Sequence, residues 1–490
     1  MEKEKQVMEK PKPEKTQYHS TVNRRGFMKM LGFGAGAVGL GATNLHASGF
    51  KDLDEMKSSP LAERKLPFWV KEVDEPTVKI DWDNMERFHG PENTLFNPAS
   101  WENQKDYFDI YNRNIASTKK NVQDNVPGLS LRDRALADAN CWGWGGRSGA
   151  DLAAPWTGAD VKANPQWEHP TMFYTPEQYG VPKYEGTPEE NSKMLRTAGR
   201  IMGAADMGFV KLDERTKKLL WGKIQFENVE KGYADKSKNK FVLPDKDLWA
   251  VCSVIPQSLW MQQYTERMSW ASSNTMSYSR ANIYANRLSV FLRGLGYQSY
   301  GGDTESVGRL VGFGVMSGMG EYGRAGILVS PQYGTNIRTV MVMITDLPLA
   351  VTKPIDAGIT KFCRACKKCG EMCPSGAISM EDEPFWGGEA ACQAKGIKGW
   401  YMDSKKCYSY MLGGEPDCSR CQSVCPFSKF DEAVMHDLIR MSIAKAPALN
   451  GLIRKMDDVF GYGKEPDLSK TPWDLDPMDI PLFGLDESRS

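Results

Sequence analysis

The pattern of apolar and polar residues predicts helices and strands in the middle of the chain. Apolar residues recur at roughly helical spacing within residues 189–207 and again within 278–295, where Gly296 ends the second helix. Residues 248–255 and 339–344 form short, nearly continuous apolar runs, which are typical of buried strands. The tail beyond residue 436 adds one amphipathic helix.

Two stretches lack such a pattern. Residues 48–135 are rich in Pro, Asp, Glu and Trp, which predicts an extended wrapping segment with short helices. Residues 308–326 are rich in glycine, and a backbone with so few side chains could cradle a phosphate or admit a large cofactor. The glycines do not follow the G-x-G-x-x-G spacing of a dinucleotide-binding turn, so the pattern does not favour a Rossmann fold.

Eight of the 11 cysteines form two runs with the spacing of bacterial ferredoxins. The first run is C-x2-C-x2-C-x3-C-P. The second has the last three positions of that motif, and Cys407, eleven residues before Cys418, can supply the first. In such motifs the fourth cysteine serves the other cluster. The spacing therefore predicts two 4Fe–4S clusters, the first on Cys363, Cys366, Cys369 and Cys425 and the second on Cys373, Cys407, Cys418 and Cys421.

Zinc is the main alternative, because zinc sites also use C-x2-C pairs. A zinc site would need two pairs and no trailing C-P, so the spacing favours clusters. Disulfides are disfavoured by spacings this short and regular. The other three cysteines, Cys141, Cys252 and Cys392, are interpreted as small buried apolar residues.

Composition narrows the class of protein. The chain has 490 residues, enough for two or three domains, with 62 basic and 62 acidic residues, so nothing predicts a nucleic-acid partner. No two of the five histidines have the helical spacing of a metal site. The 14 tryptophans are compatible with an aromatic pocket or with an aromatic core. The candidate pocket walls are Trp142, Trp144, Trp386 and Trp400.

The amino terminus has the pattern of a twin-arginine export signal. Arg24 and Arg25 are followed by Phe27 and Lys29, and then by a weakly apolar, Gly/Ala-rich stretch at 30–42. That stretch is too short and glycine-rich to span a bilayer. A chance arginine pair in a basic tail is the alternative. Export in the folded state also suits a protein whose clusters are inserted in the cytoplasm.

Several further strings complete a family resemblance that covers nearly the whole chain. Together with the cysteine runs, they resemble those of respiratory reductive dehalogenases, the catalytic subunits of organohalide respiration. The strings are N-R-R-G-F-M-K at the amino terminus, F-L-R-G-L-G-Y at 291–297, G-E-Y-G-R at 320–324, T-D-L-P-L at 345–349 and C-P-F-S-K at 425–429.

The resemblance implies an α+β fold. A nitroreductase-like core would bind a base-off cobalamin, and a ferredoxin-like domain would carry the two clusters. The predicted divisions are 1–47, the twin-arginine signal peptide; 48–210, the wrapping region; 211–350, the cobalamin-binding core; 351–435, the two-cluster domain; and 436–490, a C-terminal extension.

The resemblance also implies the active-site residues. The family's proton donor is a tyrosine upstream of L-G-Y, and Tyr278 occupies that position; a core aromatic is the alternative. A basic residue about sixty positions later lies beside it, and Arg338 matches best, with Arg324 second. A cation near a phenol favours the phenolate, which suits proton donation near neutral pH. Asp303 or Thr304 stands where many relatives have Asn, and these two and Arg324 are expected to contact the cofactor.

The implied reaction replaces a halogen by hydrogen on a chlorinated ethene or aromatic compound. The implied partners are this organohalide substrate, a small integral-membrane anchor subunit and an upstream membrane electron donor. The protein would then lie on the outer face of the cytoplasmic membrane. Two alternatives stay open: an enzyme like epoxyqueuosine reductase, which is cytoplasmic and has Asp in place of Tyr278, and a non-catalytic two-cluster electron carrier.

Overall fold

The computed structural model describes most of the chain beyond its amino terminus. Every structural statement below refers to the described residues, and the helices and strands are labelled in chain order. The described ranges are 66–88, 101, 103–130, 176, 182–235, 240–301, 307–387, 393–412, 418–429, 434–459 and 470–481.

The described helices are α1 (Gln104–Gln123), α2 (Pro188–Met202), α3 (Met268–Gly294), α4 (Leu310–Met316), α5 (Ile359–Cys366), α6 (Lys368–Glu371), α7 (Ser404–Leu412), α8 (Arg420–Ser423), α9 (Val434–Lys445) and α10 (Asn450–Val459). The described strands are β1 (Lys71–Glu72), β2 (Lys79–Ile80), β3 (Asp206–Lys211), β4 (Ile224–Glu227), β5 (Tyr233–Asp235), β6 (Lys240–Pro244), β7 (Trp249–Pro256), β8 (Ser299–Gly301), β9 (Glu321–Tyr322), β10 (Leu328–Val329), β11 (Ile337–Thr345), β12 (Ile355–Asp356), β13 (Phe385–Trp386) and β14 (Ile397–Gly399).

A four-stranded antiparallel sheet in the order β3-β7-β11-β8 forms the centre of the core. Alternate residues of β7 face opposite sides: Val251 packs with α2 and α3, and Cys252 packs with α4. Because both faces are covered, the central strands are apolar at almost every position. The two buried strands predicted from the apolar runs are therefore confirmed, and Cys252 is buried as expected.

The two predicted helices differ from the structure at their ends. Helix α2 stops at Met202 because Gly203 adopts φ 111°, and residues predicted to continue it form β3 instead. Helix α3 begins at Met268, ten residues before the predicted start. Its first turns are rich in small serines that are nonetheless buried, including Ser269 and Ser273, so no apolar stripe marked them.

The core and the cysteine-rich segment are joined by a buried carboxylate. Glu321 in β9 accepts hydrogen bonds from the backbone amides of Ala357, Ile359 and Thr360, at 2.7 to 3.1 Å. A carboxylate at the first turn of α5 satisfies free amides and complements the helix dipole. A separate apolar cluster, which includes Phe362 of α5, packs this segment against α9 and α10.

The predicted boundary between residues 210 and 211 falls within β3, so the central sheet extends to both sides of it. The other predicted divisions stay predictions. No helix within the described ranges is long and apolar enough to cross a bilayer.

Two glycines of the stretch 308–326 pack closely against the backbone of other residues of the chain. A Cβ on Gly308 would lie 2.2 Å from the carbonyl oxygen of Leu219, and one on Gly320 would lie 2.4 Å from that of Val329. The glycines at these positions allow backbones to approach closely. The expectation that this stretch cradles a cofactor is not supported at these two positions.

Candidate iron–sulfur and active site

The two cysteine runs have the same local backbone. In the first run, Cys363 and Cys366 lie on α5 and Cys369 on α6; in the second, Cys421 lies on α8. In both runs, one residue directly after a cysteine adopts a left-handed conformation. These residues are Lys367, after Cys366, with φ 50°, and Ser419, after Cys418, with φ 49°.

Backbone amides contact the sulfurs in the same way in both runs. The amide two residues later donates to the sulfur at Cys366, Cys418 and Cys425. At Cys366 and Cys418, the left-handed residue lies between the cysteine and the amide that donates to its sulfur. Such N–H···S contacts are expected around iron–sulfur clusters, where they stabilise thiolate charge.

The eight thiols interact electrostatically both within and between the two predicted sets of four. Cys369 interacts with Cys363, Cys366 and Cys425, so the last cysteine of the second run joins the first run. In the other set, Cys421 interacts with Cys373, Cys407 and Cys418. Electrostatic interactions of Cys421 with Cys369 and Cys425 cross between the two sets. These interactions are compatible with the crossed ligand assignment, which stays a prediction.

Burial raises the pKa of most of these thiols. Burial, together with neighbouring thiols, raises the pKa of Cys366 and of Cys421 to about 12. Cys373 differs, because hydrogen bonds from Ser375 and from backbone amides outweigh its burial and lower its pKa. Buried thiols of this kind become thiolates only when positive charge is supplied, and the irons of a cubane supply it.

Within the described ranges, no three His, Cys, Asp or Glu side chains are placed to hold a single metal ion. The residues do fit cubanes, because each set supplies four thiols, one for each iron.

Buried basic side chains surround the first set. Lys368 forms ion pairs with Asp457 and Asp458 of α10, and Lys429 is buried nearby. Burial lowers the pKa of Lys429, and Asp457 opposes that effect.

Arg324 also contacts the first cysteine run. It stacks on Trp400 at 4.4 Å and donates to the carbonyl oxygens of Cys363 at 2.9 Å and of Glu381 at 2.8 Å. Arg324 and Trp400 therefore lie beside the first cysteine run, whereas Trp386 is exposed.

The second run contacts the core through Thr335, which precedes β11. Thr335 Oγ1 lies 2.6 Å from Ser428 Oγ and donates to the carbonyl oxygen of Gln422 at 3.3 Å. The next residue, Asn336, accepts a hydrogen bond from Gln262 at 2.8 Å. The second run is thereby tied to the strand that carries Arg338.

Tyr278 and Arg338 lie together. The Arg338 guanidinium carbon is 4.9 Å from the centre of the Tyr278 ring, a cation–π contact between α3 and β11. Arg338 is at a β-bulge, where the pairing of β11 with β7 shifts between Ile337 and Thr339. A bulge redirects side chains and is common next to active sites.

The remaining predicted residues lie outside the described ranges. They are Asp303, Thr304, Cys141, Cys392, Trp142, Trp144 and the signal peptide at 1–47.

One residue near the second set went unnoticed in the sequence. Glu266 is buried, has φ 66°, and lies 3.4 Å from Cys418 Sγ. It stands in an ordinary T-E-R string, and no local pattern distinguishes it.

An α+β core joined to a segment with ferredoxin-type cysteine spacing is typical of an iron–sulfur oxidoreductase. The reductive dehalogenase subunit family model matches residues 65–224 and 221–349, and the 4Fe-4S dicluster domain model matches 362–429. A trichloroethene reductive dehalogenase of Dehalococcoides mccartyi is 30% identical over 93% of this chain and 97% of its own length. A chloroethene reductive dehalogenase of the same species is 29% identical over 96% of this chain and 99% of its own length.

The chain belongs to the reductive dehalogenase family. Among solved structures, the catabolic reductive dehalogenase NpRdhA matches 85% of this chain and 52% of its own chain, with 22% identity and a TM-score of 0.59. That likeness supports the dehalogenase fold. The nitroreductase-like description of the core stays a prediction.

Proposed function

We propose that the protein removes halogen from an organohalide as the terminal step of organohalide respiration. Two 4Fe–4S clusters and a base-off cobalamin would supply the electrons for this reduction, and Tyr278 would donate the proton that replaces the halogen. The contact between Tyr278 and Arg338 is the observation that carries this proposal, because residues sixty positions apart meet as the family resemblance implies.

Unpaired buried polar atoms between the end of β7 and the first turns of α3 fit a polar cofactor. The Gln257 amide, the Ser269 and Ser273 hydroxyls and the Trp270 indole nitrogen have no hydrogen-bond partner among the described residues. Buried polar groups almost always have a hydrogen-bond partner, so a bound group is expected to form hydrogen bonds with these atoms. The amide side chains of a corrin can supply it, and the region just before and within the first turns of α3 would hold the group.

A bound cobalamin supplies a strongly reducing cobalt for carbon–halogen cleavage. The chain's own residues position the substrate and deliver the proton. Tyr278 O–H is the donor, and Arg338, at the bulge, holds the ring by the cation–π contact. The proposed substrate is a chlorinated ethene or a chlorinated aromatic compound. The names of the two relatives make ethenes the first class to assay.

Replacing Tyr278 by Phe tests this proposal. Tyr278→Phe should abolish halide release while iron and corrinoid contents stay unchanged, because only the donor hydroxyl is lost. The matched control on the same helix is Tyr284→Phe. Tyr284 is buried and hydrogen-bonded to Ser253 at 2.9 Å, so this variant should keep activity and lose about 1 kcal/mol of stability. Normal halide release by Tyr278→Phe would contradict the proposed role.

We also propose export by the twin-arginine route, and association with the outer face of the cytoplasmic membrane through a small anchor subunit and a membrane electron donor. The amino-terminal arginine pair supports this proposal. Replacing Arg24 and Arg25 by Lys should retain the precursor in the cytoplasm, as cell fractionation would show. A mature protein outside the membrane in that variant would refute the route.

The epoxyqueuosine-reductase-like alternative is disfavoured by the match of the dehalogenase family model across the core. A simple electron carrier is disfavoured by the same match, because a carrier needs no such core. A visible spectrum of the purified protein separates a corrinoid enzyme from a simple electron carrier, since corrinoid bands favour the enzyme and cluster bands alone favour the carrier.

A further inference from the structure

A buried carboxylate lies against a predicted ligand of the second cluster. Glu266 is 1% exposed and sits between the 3₁₀ turn Trp260–Tyr264 and helix α3. Its φ of 66° is in the left-handed region, which is sparsely populated by residues with a side chain. Such a conformation persists where the surrounding contacts determine it, and it is most common at functional sites.

Three side chains of the cluster-bearing segment converge on Glu266. Arg420 Nη2 donates to Oε2 at 2.8 Å, and Arg420 Nε lies 2.7 Å from Oε1. The Tyr410 hydroxyl donates to Oε1 at 3.2 Å. Cys418 Sγ lies 3.4 Å from the same oxygen. The carboxylate is therefore held in one position against the sulfur that would ligate iron.

The charge around the first set is different. Arg324, Lys368 and Lys429 are buried near the first set, and Asp457 and Asp458 offset only part of their charge. Cluster potentials depend on net charge, hydrogen bonds to sulfur and exposure. A fixed negative charge at the ligand sulfur disfavours the uptake of an electron, and buried cations favour it.

We propose that Glu266 sets a low reduction potential at the second cluster, with Arg420 holding the carboxylate and limiting the effect. Glu266 is a positioning residue in this role, because it acts through Cys418. The inference rests on the proposed two-cluster arrangement. In the redox step, each cluster takes up one electron from a chemical reductant, and no bond is formed or broken.

An EPR-monitored redox titration of the reconstituted full-length chain, with dithionite as reductant, tests the inference. A Cys421→Ser chain identifies the signal of the second cluster by its loss. Glu266→Gln removes the negative charge and should shift the midpoint of the second cluster to higher potential. Arg420→Gln removes the positive charge and should shift that midpoint to lower potential. The midpoint of the first cluster should stay unchanged in both variants.

Asp457→Asn is the matched control, because it removes a negative charge beside the first set. It should raise the midpoint of the first cluster alone. Unchanged midpoints in Glu266→Gln and Arg420→Gln, shifts in the same direction, or equal shifts at both clusters would overturn the inference. Loss of the second cluster in both variants would also overturn it, since the pair would then merely hold the cluster. A wild-type chain that assembles fewer than two clusters would instead refute the proposed two-cluster arrangement.

Discussion

The two cysteine runs share a backbone conformation but lie in different surroundings. Lys367 and Ser419 adopt nearly the same left-handed conformation, and each precedes a short helix that carries a cysteine. Both runs are hydrogen-bonded to the core, the first through Arg324 and the second through Thr335. The first run also packs against α10 and buried cations, whereas the second contacts Glu266. The difference teaches that cysteine spacing determines the shape of a ligand loop, while residues distant in sequence determine its charge environment.

The largest effect is expected when one cysteine ligand of either cluster is replaced. Cys425→Ser should lose the first cluster, although Cys425 belongs to the second run, and Cys421→Ser should lose the second. Each variant should halve the iron content, because each removes one thiolate from one set of four. Iron analysis and EPR spectra measure both effects. Cys252→Ala is the control, since this buried cysteine lies in the central sheet, and its iron content should be that of the wild type. Loss of the same EPR signal in both serine variants would contradict the crossed assignment.

A smaller effect is expected where each run contacts the core. Thr335→Val removes the hydroxyl that bonds Gln422 and Ser428, at a cost of about 1–3 kcal/mol. Urea denaturation followed by EPR should show that the second cluster is lost at a lower urea concentration. Thr360→Val is the matched variant beside the first run, because the Thr360 hydroxyl donates to the carbonyl oxygen of Tyr322 in β9 at 3.3 Å and lies 2.8 Å from Thr77 Oγ1. In this variant the first cluster, rather than the second, should be lost at a lower urea concentration. Loss of the same cluster in both variants would contradict the proposed difference between the two runs.

The smallest effect is expected at the two left-handed residues that the cysteine runs have in common. Ser419→Gly should stabilise the chain by up to about 1 kcal/mol, because glycine adopts the left-handed conformation without strain. Lys367→Gly should gain less, since it also loses the bond from Lys367 Nζ to the carbonyl oxygen of Met380. Urea midpoints measure both changes. Ser419→Ala should give no gain, and a gain equal to that of glycine would show that strain is not the cause.

Some of the molecule could be predicted from sequence. The strands β7 and β11 were predictable because both of their faces are buried, so their residues are apolar almost without interruption. The ligand loops were predictable because four irons need four thiolates at fixed spacing. The start of α3 was not predictable, because its buried serines carry no apolar signal.

Other features depend on contacts between distant residues. Glu266 and Arg420 are 154 positions apart, so neither string indicates a buried ion pair. The closeness of Tyr278 and Arg338 was expected from the family resemblance alone, and the β-bulge that orients Arg338 arises from pairing with β7. The spacing of residues within one segment predicts the chemistry of that segment. A site assembled from several segments can be identified only once the fold is known.

The central claim is most directly tested by halide release. Purified full-length protein, reconstituted with iron, sulfide and cobalamin, is given a low-potential electron donor and a panel of chlorinated ethenes, phenols and benzenes. The account predicts release of chloride from at least one class, and loss of that release in Tyr278→Phe. A fully loaded protein that releases no halide from any compound of the panel, or one whose Tyr278→Phe variant is as active as the wild type, would contradict it.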